Sequence, residues 1–114
     1  MLSLSSAVRV FVCRQPTDMR CSFDRLAGIA GQVIKQDPVS GHLFLFLNRL
    51  RTSAKILYFD RTGWVIWYKR LERGTFSLPQ KEEIDYRELM CALEGIELKD
   101  ARKKKRFFLR KSAA

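Results

Sequence analysis

The residues of this chain best placed to do chemistry are cations set among aromatics. Arg49, Arg51, Lys55, Lys69, Arg70 and Arg73 punctuate the stretch from His42 to Phe76. Arg102, Lys103, Lys104, Lys105 and Arg106 run together farther on. Guanidinium and ammonium groups bind phosphates, and aromatic faces stack on bases, so the combination fits a nucleic-acid or partner surface. The plainer alternative is that the aromatics fill a core and the cations form a solvated strand edge that discourages sheet-to-sheet pairing. No comparable set supports catalysis. The one histidine, His42, cannot by itself build a common histidine-based metal set. Asp18, Asp24, Asp37, Asp60, Asp85 and Asp100 mostly fall at predicted turns and helix starts, which are structural positions for aspartate. Their spacing does not suggest a two-metal phosphoryl-transfer site. There is no glycine-rich phosphate loop and no G-x-S-x-G motif. Cys13, Cys21 and Cys91 form no C-x-x-C pair and read as buried or incidental thiols in a reducing compartment. The expectation is therefore no catalytic residue, no metal and no cofactor.

The cations near the middle of the chain must be positioned by strands. Leu43–Leu47, Ile56–Phe59 and Trp64–Tyr68 are short apolar runs rich in β-branched or aromatic residues and bounded by polar turns. They predict a three-stranded antiparallel meander over about 42–71. Leu43–Leu47 is apolar throughout, as a central strand covered on both faces would be. The strand period places Trp64, Ile66 and Tyr68 on one face and Val65, Trp67 and Lys69 on the other. Asp60-Arg61-Thr62-Gly63 suits a tight turn in which Gly63 supplies the positive φ. Because strands one and three of a meander run parallel, Arg49 and Arg51 are expected at the same end of the sheet as Arg70 and Arg73. Lys69 and Arg70 point to opposite faces.

Before the meander, Ala7–Cys13 predicts a strand. Pro16 stops it, and Thr17 is placed to cap a helix over about 18–35. Met19, Phe23, Leu26, Ala30, Val33 and Ile34 recur there at helical spacing. Gly28 and Gly31 lie inside that helix, where they would allow close approach to the sheet. Asp37-Pro38 and Ser40-Gly41 predict a turn. After the meander, 74–83 reads as a linker. Asp85 and Glu88 match a capping box, with Ile84 and Leu89 as its staple, for a short helix over about 86–94. Tyr86, Leu89, Met90 and Leu93 form the apolar face of that helix, available for core packing or docking. Gly95 is a natural residue to follow it. The fold class is thus α+β: a small antiparallel or mixed sheet, an N-terminal strand, one packed helix and a short C-terminal helix.

The net charge of +10 is unevenly spread. Residues 1–73 carry +7, residues 74–98 carry −4, and residues 99–114 carry +7. A basic body and basic tail imply a polyanionic partner, and the acidic segment between them a protein partner. With 114 residues and 46% hydrophobic content the chain is expected to form one domain over 1–98 with a flexible basic tail over 99–114. Phe107, Phe108 and Leu109 lie in that tail, where they can stack on bases, enter a partner or pack back on the domain. No apolar run is long enough to span a bilayer, and the first residues make a poor signal peptide, so the expected location is cytoplasmic.

TDMRCSFDRLAG (17–28), DPVSGHLFLFLNR (37–49), KILYFDRTGWVIWYKRLERGTF (55–76) and LEGIEL (93–98) together resemble the small TnpB-type accessory protein of family-66 bacterial insertion sequences. The resemblance runs in order from Val8 to about Leu98, and YKRLERG (68–74) is its most specific part. This family is distinct from the much longer RNA-guided nuclease that shares the TnpB name. The resemblance implies a non-catalytic role in transposition, with element DNA, the element's transposase and its other small accessory protein as partners. It carries over no catalytic residue. Relative to the family pattern, residues 48–56 lack the acidic residue common before the Lys55-Ile56 pair, and Cys21 stands where a basic residue is common. The rivals are a small basic toxin-like ribonuclease and a purely protein-binding adaptor.

Overall fold

In the computed structural model, which describes residues 7–94, the chain folds as α+β. The elements are β1 (Val10–Val12), α1 (Phe23–Ile29) continued by a π-helical segment (Ala30–Ile34), β2 (Leu43–Leu47), β3 (Ser53–Asp60), β4 (Gly63–Arg70), β5 (Glu83–Ile84) and α2 (Tyr86–Leu93). One five-stranded mixed sheet has the order β4-β3-β2-β1-β5. β2, β3 and β4 form the antiparallel meander, and β1 joins β2 in parallel. β5 pairs antiparallel with β1 and forms the far edge.

The sheet is covered on both faces, which is why β2 is apolar at every position. On one face Val10, Val12, Leu43, Leu45, Ala54 and Ile56 pack with Phe76 and with Leu89 and Leu93 of α2. On the other face Phe11, Phe44, Phe46 and Leu57 lie under Leu26 and Ala30 of the α1 segment. Phe11, which lies between Val10 and Val12 and so points to the opposite face, fills this second core. α2 begins with the expected capping box: Asp85 accepts from the Glu88 backbone, and the Glu88 side chain accepts from the Asp85 backbone.

Several local expectations are corrected. The helix begins at Phe23, because Asp18 closes a turn of its own. Its Oδ1 accepts the Arg20 N–H at 2.8 Å, and its carbonyl accepts the Cys21 N–H at 3.0 Å. Thr17 is buried and donates its backbone N–H to the Leu47 carbonyl, so it extends the strand region rather than capping a helix. A Cβ on Gly28 or Gly31 would meet nothing within 4 Å, so neither glycine brings the helix close to the sheet. In the β3–β4 turn the positive φ falls on Arg61 (43°) and not on Gly63. Tyr86 is largely exposed, while Leu89 and Leu93 are core. The stretch read as a linker contains the fully buried Phe76 and ends in β5. Gly95, Ile96 and the whole basic tail lie outside the described residues.

Candidate nucleic-acid interface

Three strands end together. β1 and β4 both run parallel to β2, so Arg14 after β1, the turn after β2, and Arg70 at the end of β4 share one end of the sheet. Asn48 builds the β2–β3 turn. Its Oδ1 accepts the backbone N–H groups of Thr52 (2.9 Å) and Ser53 (3.0 Å), and its Nδ2 donates to Thr52 Oγ1 (3.0 Å). The Asn48 carbonyl accepts the Arg51 N–H at 3.1 Å, and Arg51 takes a left-handed conformation with φ 58°. The turn is thereby tied down at both ends and carries Arg49, Leu50 and Arg51 as exposed side chains. The chain leaving β4 returns against it: Leu71 N–H donates to the Thr52 carbonyl at 2.8 Å, and Phe76 N–H to the Arg51 carbonyl at 2.7 Å. These bonds bring Arg73 back to the same end, despite its distance from Arg49 in sequence.

A cleft of about 190 Å³ opens here between the exit of β1, the β2–β3 turn and residues 78–80. Arg14, Arg49 and Arg51 line it, with Gln15, Asn48 and Gln80 as further polar groups and no carboxylate among its lining residues. Beside it, a shallower depression along residues 16–19 contains Asp18. That carboxylate is already engaged: Arg20 Nη2 donates to Asp18 Oδ2 at 2.7 Å and, with the Arg20 backbone N–H, holds the Asp18 pKa down to about 2. Arg70 has Glu72 at 3.6 Å, with side chains 71% and 83% exposed, a geometry worth little against solvent. Among the described residues the end of the sheet is therefore a field of guanidinium groups without strong neutralisation.

The two lysines among the expected site residues are placed otherwise. Lys55, on the α1 face, is buried. Its Nζ donates to the carbonyls of Met19 (2.7 Å) and Cys21 (2.8 Å) and lies 4.9 Å from the centroid of the Tyr68 ring. Lys69, on the opposite face, donates its Nζ to the Leu93 carbonyl at 2.8 Å, at the C-terminal end of α2, where a cation is favoured. Each lysine ties a covering segment to the sheet. Trp67 packs against the core, and of the interleaved aromatics of β4 only Tyr68 is largely exposed. Arg102, Lys103, Lys104, Lys105 and Arg106 lie outside the described residues. Arg14 is the cation that the sequence reading missed. The parallel register of β1 on β2, Val10 opposite Leu43, brings it into the cluster, and a lone arginine after a short strand does not reveal that pairing.

At the other end of the sheet, Arg9 and Glu83 form a two-point ion pair at 2.9 and 2.6 Å that ties β5 to β1. The hydrogen bond from Arg9 lowers the Glu83 pKa, and Glu83 in turn raises that of Arg9. Among the described residues no group of three or more His, Cys, Asp or Glu side chains is placed to hold a metal ion. Three of the described aspartates have local duties: Asp37 accepts the Val39 N–H, Asp85 caps α2, and Asp18 holds Arg20. No helix among the described residues is long and apolar enough to cross a membrane.

Comparison with known proteins places this geometry in a family. The family model described as IS66 Orf2 like protein matches residues 8–103. Among curated proteins, uncharacterized protein y4hO of Sinorhizobium fredii (strain NBRC 101917 / NGR234) is 37% identical over 101 residues, covering 85% of this chain and 88% of the relative. Uncharacterized protein y4jC of the same organism is 30% identical over 79 residues, covering 69% and 68%. No solved structure matches.

Proposed function

The chain belongs to the IS66 Orf2-like family of insertion-sequence-associated accessory proteins, and on that premise we propose that it serves transposition by holding DNA of the element, without catalysing strand transfer. The observation that carries this reading is the convergence of Arg14, Arg49, Arg51, Arg70 and Arg73 on one end of the sheet, around a cleft lined by three of them and by no carboxylate. Guanidinium groups fit phosphate oxygens bidentately, and a turn already fixed by Asn48 presents two of them with little ordering left to do on binding. The expected basic tail adds sequence-independent affinity. The element's transposase is the protein partner in this reading, and the acidic stretch over 74–98 is the part of the chain suited to meet it.

The test is charge reversal at Arg49 together with Arg70. Both side chains are exposed, so the double variant should fold normally, lose most DNA affinity and fail to support transposition in cells carrying the whole element. Normal DNA affinity and normal transposition would overturn the proposal. Unchanged DNA binding with lost transposase binding would favour the protein-binding adaptor instead. Cleavage of RNA by the purified protein, abolished by a point substitution, would favour the ribonuclease.

A further inference from the structure

β4 is a long strand that pairs with β3 alone among the described residues. It spans eight residues at one edge of the sheet, and among the described residues no backbone hydrogen bond reaches its outer side. The register shows which groups point outward. Asp60 and Gly63 flank a two-residue turn and so form the hydrogen-bonded closing pair. Alternation then directs the backbone groups of Gly63, Val65, Trp67 and Lys69 toward β3, a pattern continued by the Leu71 bond to Thr52. The N–H and C=O groups of Trp64, Ile66, Tyr68 and Arg70 face away from the sheet. Over residues 63–68 the usual protections of an edge are missing, and the charges of this strand, Lys69 and Arg70, are confined to its last two residues. The strand has no proline, its register against β3 is unbroken by a bulge, and no charged residue lies between Gly63 and Tyr68.

We propose that this edge pairs antiparallel with β4 of a second copy of the chain about a twofold axis at Ile66, making one continuous sheet through both molecules. The choice of a second copy rests on charge and on cross-strand fit. The cations of β4, Lys69 and Arg70, sit at one end only, so antiparallel self-pairing sends them to opposite ends of the new ladder, whereas a parallel arrangement would stack like charges. In the antiparallel register Trp64 lies opposite the second copy's Tyr68 on one face, and Val65 opposite its Trp67 on the other, both favourable pairs. Tyr68, 52% exposed in the single chain, gains cover. The two arginine ends then lie at opposite ends of the joined sheet.

The test is the mass of the full chain by light scattering or sedimentation, without nucleic acid, at low and high salt. A dimer is expected, and it should tighten as salt screens the +10 carried by each copy, opposite to the response of DNA binding. Ile66→Lys and Ile66→Glu each place like charges opposite one another at the axis, and each should be monomeric; mixing the two should restore the dimer. Because Ile66 also packs on the core, Tyr68→Pro provides a second route. It removes one outward N–H, leaves the β3 ladder intact, and should give a folded monomer. A monomer at every salt concentration, whether the edge is bare or covered by the chain's own residues beyond Glu94, overturns the proposal. So does a dimer that survives the Ile66 and Tyr68 variants.

Discussion

Replacing Lys55 by methionine should cost stability and spare DNA affinity. Lys55 is 8% exposed, and its ammonium donates to two carbonyls, at 2.7 and 2.8 Å, in the segment that leads into α1. Hydrogen bonds to a charged group contribute roughly 1.5–3 kcal/mol each. The Tyr68 ring adds roughly 0.5–1 kcal/mol. Two effects offset these gains. The ammonium gives up its hydration on folding, and the carbonyls of Met19 and Cys21 belong to a surface segment that water can reach once the lysine is gone. Methionine keeps most of the packing of the aliphatic stem. The balance is a loss of about 2 kcal/mol, equivalent to a fall of ~8–16 °C in melting temperature for a domain of this size. The assay is a thermal melt followed by DNA titration well below the transition. An unchanged melting temperature would refute the assignment of Lys55 as a structural tie. Unchanged stability with weakened DNA binding would return Lys55 to the binding surface.

Two further outcomes are expected. Asp85→Ala removes the reciprocal cap of α2 and should lower stability by about 1 kcal/mol, seen as a drop of ~4–8 °C in the melt, whereas Asp85→Asn should lose much less. The Arg9 pair depresses the Glu83 pKa below its ordinary value of 4.5, so its contribution is fully present above pH 4.5 and is lost as pH falls through the depressed value. The melting temperature of Glu83→Gln should accordingly fall less steeply below pH 4.5 than that of the parent chain, and parallel acid limbs would contradict the pairing.

Much of this architecture was legible because strong local signals agreed with one another. The apolar run Leu43–Leu47 announced a strand covered on both faces, and the Asp85–Glu88 spacing announced α2 with its cap. The meander brought Arg49 and Arg51 toward Arg70 and Arg73 by topology alone. What escaped was set by contacts distant in sequence. β5 is two residues long, too short to show a period, and it exists because β1 offers it an edge. Arg14 joins the cluster only through the parallel pairing of β1 with β2. Lys55 and Lys69 look in sequence like the arginines around them, but their carbonyl acceptors lie |i−j| = 36, 34 and 24 residues away. Thr17 and Asp18 carry the composition of a helix start, yet the Leu47 carbonyl and the Arg20 guanidinium claim them first.

The most direct test of the account is the salt dependence of duplex DNA binding by the full chain, compared with a variant carrying Arg14→Gln, Arg49→Gln and Arg51→Gln. The tail is identical in both proteins, so the difference isolates the cleft. On duplex DNA each phosphate contact contributes about −0.9 to the slope of log K against log salt. If the three arginines that line the cleft hold phosphates, the variant should bind more weakly at every salt concentration, with a slope shallower by roughly 2–3 and an unchanged melting temperature. Parallel slopes and equal affinities would contradict the central claim, because they would show that DNA does not touch this end of the sheet.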